Sequence, residues 1–289
     1  MQHTIGVYVR LTKPRVIELL LVTTVPAMVL GANGLPELDL VLAVLVGGAL
    51  AAGGANTINC WIERDRDQLM DRTRNRPLPA GEILPTPALV FGLVLEAVAF
   101  ALLWVTAGLL AASLTIGATL FYVFVYTIWL KPRSVQNIVI GGAAGAVPAL
   151  VGWAAVTGSL AAPAWVLFAI VFCWTPPHFW ALALRYHDDY AAAGFPMLPV
   201  VKGKVAATRQ IVGYSVVVVA VSLTLPLVGK SGLLYVVAAA VLGVALVIES
   251  VRLWRDPTSE RAIRMFIFSN TYLALLFAAV AVDTLIRTA

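Results

Sequence analysis

Apolar residues run along the chain in nine long blocks, at approximately 16–34, 39–60, 87–108, 111–130, 136–156, 163–184, 210–229, 232–250 and 266–286. A helix needs about 20 mostly apolar residues to cross a bilayer, and blocks of this length are too continuous to be the short alternating strands of a membrane barrel. The pattern predicts an all-α polytopic membrane protein, with nine transmembrane helices in a single bundle spanning residues 1–289. The connections alternate in character. Those at 34–38, 109–110, 157–162 and 230–231 are nearly uncharged, whereas 61–86, 131–135, 185–209 and 251–265 are rich in charge.

Eighteen of the twenty Lys and Arg residues lie in the N-terminal stretch (Arg10, Lys13, Arg15) or in the charged connections, leaving Lys230 and Arg287 for the other side. Short loops rich in Lys and Arg stay in the cytoplasm. The N-terminus and the four charged connections are therefore expected there and the C-terminus outside, in the cytoplasmic (inner) membrane, with lipid around the bundle. No small-residue cleavage site follows the first apolar block, so that block is expected to be retained as the first helix.

Composition sharpens this picture. The chain is 61% hydrophobic and 12% charged, against roughly 45–50% and about 25% in a soluble domain, which excludes a soluble globule. A net charge of +5 would raise the question of nucleic acid in a soluble protein. Here membrane orientation accounts for it, and no nucleic-acid partner is expected. Cys60 and Cys173 lie far apart, with neither metal-ligand spacing nor a disulfide framework.

The acids are few, and four of the fifteen crowd into residues 63–71. At 100° per residue, Asn59, Glu63, Asp67 and Asp71 drift only about 40° per step, so the spacing predicts one polar stripe at the cytoplasmic end of the second helix. Asp65 falls about 240° round from Asn59, off the stripe. Oxygen ligands in such a row suit Mg²⁺, which binds one or two carboxylates and completes its shell with water and substrate phosphate. Arg64, Arg66, Arg72, Arg74 and Arg76 intersperse the acids. Guanidinium groups pair bidentately with phosphate oxygens, so acids and arginines together describe a diphosphate site. The alternative is a salt-bridged loop whose arginines only set topology. Against it stands the stripe's start at an amide still inside the apolar block, where polar residues are costly.

A second acidic pair, Asp188 and Asp189, follows the sixth block, which runs in the same direction as the second. Two carboxylate clusters on one face can share a bridged diphosphate, or Asp189 can pair with Arg185 as helix support. His178 sits in PPHFW inside the sixth block, where Pro176 and Pro177 are expected to kink the helix. One reading is an interior histidine satisfying freed carbonyls. Glu96 is a lone carboxylate in the third block, expected to face the bundle interior. Most tryptophans fall near block ends, as in an interfacial belt.

The Asn-x-x-x-acid-x-x-x-Asp stripe, the second acidic cluster four helices later and the nine spans resemble the UbiA-type intramembrane prenyltransferases. Within that family, LTKPRVIELLLVTTVPAM at 11–28, NTINCWIERDRDQLMDRTRNRPLP at 56–79, WLKPRSVQNIVIGGAAGAVPALVGW at 129–153 and WTPPHFWALALRYHDDY with GFPMLPVVKG at 174–203 are similar to the branch that farnesylates haem. One position departs from the pattern, since Glu63 stands where the family usually carries Asp.

The resemblance implies Mg²⁺-dependent transfer of a farnesyl group from farnesyl diphosphate to a vinyl group of haem B, giving haem O and diphosphate. It implies catalytic roles for Asn59, Glu63, Asp67, Asp71 and Asp189 in acidic motifs at 59–71 and 185–190. Metal ligands would come from Glu63, Asp67, Asp71, Asp188 and Asp189, and diphosphate contacts from Arg72, Arg76, Lys131 and Arg133. Haem would be met by His178 and its propionates by Arg10, Lys13 and Arg15, whose simpler reading is topology. A haem A synthase or a terminal oxidase are the implied protein partners. Two other functions are weighed, a prenyltransferase for an aromatic quinone precursor or chlorophyllide, and an ion-coupled transporter. The transporter needs acids near the bilayer midplane, where only Glu96 qualifies.

Overall fold

The computed structural model describes residues 2–229 and 231–288, and for residues 2–4, 15, 16 and 18–21 the backbone alone. The described residues form helices and no strand: α1 Gln2–Thr12, α2 Pro14–Ala32, α3 Leu38–Asp67, α4 Pro85–Leu120 continuing as a π-helix through Phe121–Leu130, α5 Asn137–Thr157, α6 Ala162–Arg185, α7 His187–Ala192, α8 Leu198–Ser222, α9 Leu233–Arg255 and α10 Ser259–Thr288. Seven helical stretches among them are long and apolar enough to cross a membrane, and the chain is a multi-pass membrane protein. Outward side chains such as Val90, Leu93, Val94 and Val105 are exposed apolar surface, the face a lipid-embedded helix presents.

One stretch, Pro85–Leu130, has 46 residues and would extend roughly 70 Å if straight. It is not straight. Thr119 Oγ1 donates to Glu96 at 3.1 Å, and residues 23 apart can touch only if the helix doubles back. The reversal falls at Gly108, whose φ of 88° is one that side-chain-bearing residues rarely adopt. The expected third and fourth blocks thus form a helical hairpin turning on a single residue. Gly152 serves a different purpose, since a Cβ there would lie 2.4 Å from the Thr24 carbonyl oxygen. Its absence lets α2 and α5 pack backbone against backbone.

Two expectations are corrected. α3 runs on past the apolar block to Asp67 and then stops, so the helical stripe carries Asn59, Glu63 and Asp67 but not Asp71. Thr73 Oγ1 closes the end by donating to the Asp67 carbonyl at 2.9 Å. α6 stays helical through Pro176 and Pro177. Trp153, Trp174 and Trp180 are buried in the core instead of forming a belt.

The charged connections gather at one end of the bundle. Arg10 pairs with Glu82, Arg72 meets Asp189, Lys131 meets Glu63, and Arg264 meets Glu249. At the other end Asp283 of α10 caps α9, accepting from Gly232 N at 2.7 Å and Tyr235 N at 3.2 Å. Lys230 and the side chain of Arg15 lie outside the described residues.

Candidate active site

The last two turns of α3 carry Asn59, Glu63 and Asp67 on one buried face. Lys131, immediately after the π-helix, donates to Glu63 Oε2 at 2.7 Å and stands 2.5 Å from Oε1. Burial would lower the pKa of this lysine, and the carboxylate against it more than reverses that, so its ammonium is held charged. Arg76 folds back from the loop to donate to Asp67 Oδ2 at 2.7 Å. Asn59 receives Lys13 Nζ at 2.8 Å and donates to Thr127 Oγ1 at 3.1 Å. Lys13 reaches inward from the joint between α1 and α2, where its own backbone is left-handed at φ 53°. Strained backbone of this kind persists where the surroundings over-determine it.

The second acidic motif arrives on α7. Asp189 Oδ2 accepts from Arg72 N at 3.2 Å, joining the two motifs as their shared orientation predicts and leaving Arg185 to Tyr186. The Arg72 guanidinium lies 5.3 Å and 5.7 Å from the ring centroids of Tyr186 and Tyr190. Asp188, by contrast, is fully exposed beside His187, and Asp71 is exposed and paired with Arg74. Both are turned away from the cluster. Among the described residues no three or more His, Cys, Asp or Glu side chains gather into a ready-made metal site.

The cluster nonetheless has spare acceptor capacity. Asp67 Oδ1 is buried and accepts no hydrogen bond, although buried carboxylate oxygens are ordinarily satisfied, while Glu63 Oε1 lies against the Lys131 ammonium. Two carboxylates beside Arg76 and Lys131 fit Mg²⁺, which needs only one or two carboxylates when a diphosphate supplies other ligands. Beside them a cavity of about 420 Å³ opens among Ile62, Glu63, Asp65, Arg66, Thr127 and Arg133. Arg133 itself donates to the carbonyls of Ile128 and Trp129, tying down the end of the π-helix.

The proposed haem contacts fall apart as a set. Arg10 is held by Glu82 at the surface, and Lys13 is committed to Asn59. His178 is buried in α6, its ring stacked between Trp174 and Phe266 at centroid distances of 4.2 Å and 4.3 Å. Its Nδ1 lies 2.8 Å from Ser269 Oγ, whose own proton goes to the Phe266 carbonyl at 2.7 Å. Through Ser269 the His178 ring ties α6 to α10. No freed proline carbonyl is its partner.

Sequence reasoning missed Thr127, Tyr126, Tyr186, Tyr190 and Phe195. Tyr186 and Tyr190 flank the acidic pair in the sequence, which is a usable signal. Nothing in periodicity distinguishes Phe195 from a lipid-facing aromatic.

Fold and site together define an integral-membrane helical bundle with a buried cluster of acids and cations at one end. The chain belongs to the UbiA prenyltransferase family, whose sequence profile matches residues 20–276. It is 52% identical to the protoheme IX farnesyltransferase of Salinispora tropica, over 99% of this chain and 91% of that one. Its fold is that of a solved digeranylgeranylglyceryl phosphate synthase, at a TM-score of 0.80 and 18% identity over 99% of both chains. A UbiA homolog from Archaeoglobus fulgidus, bound to DMAPP and Mg²⁺, matches at a TM-score of 0.66 and 19% identity over 95% of this chain and 99% of that one.

Proposed function

We propose that this protein transfers the farnesyl group of farnesyl diphosphate to a vinyl group of haem B, releasing diphosphate and giving haem O. The observation that carries the chemistry is the buried row of Asn59, Glu63 and Asp67 among Lys131 and Arg76, with Asp67 Oδ1 accepting no hydrogen bond and the second motif tied to the loop after α3 through Arg72 N and Asp189. The choice of haem as acceptor is supported by the name of the relative sharing 52% of its residues.

In the reaction the allylic C–O bond breaks, the vinyl carbon forms the new C–C bond, and water adds to the neighbouring carbon as the hydroxyl. Mg²⁺, when bound, supplies positive charge to the leaving diphosphate. Glu63 and Asp67 would hold it, with Asn59 and Asp189 orienting the complex. Arg72, Arg76 and Lys131 present hydrogen-bond donors to the departing oxygens, stabilising charge as it develops, and no protein nucleophile is needed. Lys13 belongs with this group and not with the propionates, because its ammonium is already on Asn59. His178, buried in α6, remains the haem contact of this reading, and Arg133 and Arg10 are secondary contacts at the surface.

The reading includes nine spans in one domain over 1–289, with the charged end cytoplasmic and the bundle in the inner membrane, where a haem A synthase or terminal oxidase would receive the product. The test is direct. Purified protein in lipid nanodiscs is incubated with Mg²⁺, farnesyl diphosphate and haem B, and hydroxyethylfarnesyl haem is sought by mass spectrometry. Product that disappears with EDTA and returns with Mg²⁺ is expected. Turnover of an aromatic acceptor with none of haem would move the protein to another branch of the family.

A further inference from the structure

Phe195 sits in the turn after α7 and is buried, with 1% of its surface exposed. Its ring faces cations on two sides of the site. Lys131 Nζ lies 4.7 Å from the centroid and Arg66 Cζ lies 5.0 Å from it. The turn is fixed to the second acidic motif, since Phe195 N donates to the Tyr190 carbonyl at 3.0 Å and Met197 N donates to the Phe195 carbonyl at 2.8 Å. Tyr190 also meets the ring edge-on, 6.4 Å between centroids. One side chain therefore touches the lysine that holds Glu63 while standing on the same turn as Asp189.

We propose that Phe195 is a positioning residue for the diphosphate: its ring holds Lys131 against Glu63 and Arg66 at the mouth of the site, tying the second acidic motif to the first. This rests on the functional reading above. An aromatic face attracts an ammonium or guanidinium through its quadrupole, and a buried ring does so more strongly than an exposed one. Unlike a third carboxylate, it accepts no directed hydrogen bond. Lys131 keeps N–H groups for phosphate oxygens, and Arg66, which forms no ion pair among the described residues, keeps its whole guanidinium edge. Two cations about one ring also repel each other. An anion entering the 420 Å³ cavity that Glu63, Arg66 and Arg133 line would relieve that repulsion.

The experiment is a graded series at this position in the full chain: Phe195→Leu, Phe195→Tyr, and mono-, di- and trifluorophenylalanine in place of Phe195. Each is measured for binding of inorganic diphosphate with Mg²⁺, for kcat and KM with farnesyl diphosphate, and for Tm. The expected result is about a tenfold loss of diphosphate affinity in Phe195→Leu, carried mainly in KM. Affinity should fall stepwise with each fluorine while Tm stays level, and Phe195→Tyr should stay near the parent. A flat fluorine series, or Phe195→Leu binding within about twofold of the parent, overturns the inference even if the parent farnesylates haem. A parent that binds diphosphate and follows the series but fails to farnesylate haem overturns the acceptor reading alone, and a parent that binds no diphosphate overturns both.

Discussion

Both ends of the bundle bury carboxylates, and they treat them in opposite ways. At the weakly charged end Asp283 is 3% exposed and fully engaged, one oxygen accepting from Tyr235 N and the other from Gly232 N and Arg287 Nε. Its neighbours extend the satisfaction, with Tyr235 donating to the Ser222 carbonyl and Ser222 bonded to Tyr272. At the charged end Asp67 is completely buried, yet only one of its oxygens accepts a hydrogen bond. A buried carboxylate with every lone pair engaged holds helices together. One with a lone pair left over in the same low dielectric is kept for a ligand, since burying unsatisfied polarity is costly.

That contrast is broken most severely at Asp67. Asp67→Ala should lower haem O formation by at least about 10²-fold, because the loss falls on charge stabilisation in the transition state. Asp67→Asn, which keeps the shape, should do nearly as much. Normal turnover by either would remove Asp67 from the site. Asp283→Ala should show the reverse signature. Stripping the cap from α9 leaves two backbone donors unpaired and costs about 1–3 kcal/mol, read as a lower Tm in detergent, with the specific activity of the folded fraction unchanged. A fall in activity without a fall in Tm would mean that the far end takes part in chemistry. The smallest effect belongs to Asp71→Ala and Asp65→Ala, whose carboxylates are exposed and whose pairings with Arg74 and Arg64 are worth about 0–1 kcal/mol. Both should stay within about threefold of the parent in kcat/KM. A loss at Asp71 as large as at Asp67 would restore it to the metal-binding stripe.

Much of this was legible in the chain. Hydrophobic blocks marked the helices because a bilayer admits few other backbone solutions. The four-residue spacing found Asn59, Glu63 and Asp67 because α-helical geometry holds wherever the helix does. It overreached at Asp71 because where α3 stops is set by Thr73 and the turn behind it, not by the spacing of acids. Glu96 looked isolated along the chain and has Thr119 as its partner once the hairpin closes at Gly108.

What the sequence alone determined is what local physics and solvent dictate: the membrane class, the helical blocks, the side on which charge collects, and the two acidic motifs. What only the tertiary structure decided is pairing. Lys13 donates to Asn59, Phe195 has Lys131 and Arg66 against its ring, and Asp188 is fully exposed while Asp189 accepts from Arg72 N. These contacts join residues up to 129 positions apart, Arg66 to Phe195. Helical periodicity fixes directions within one segment, whereas contacts between segments depend on how the helices pack and where each chain reversal falls.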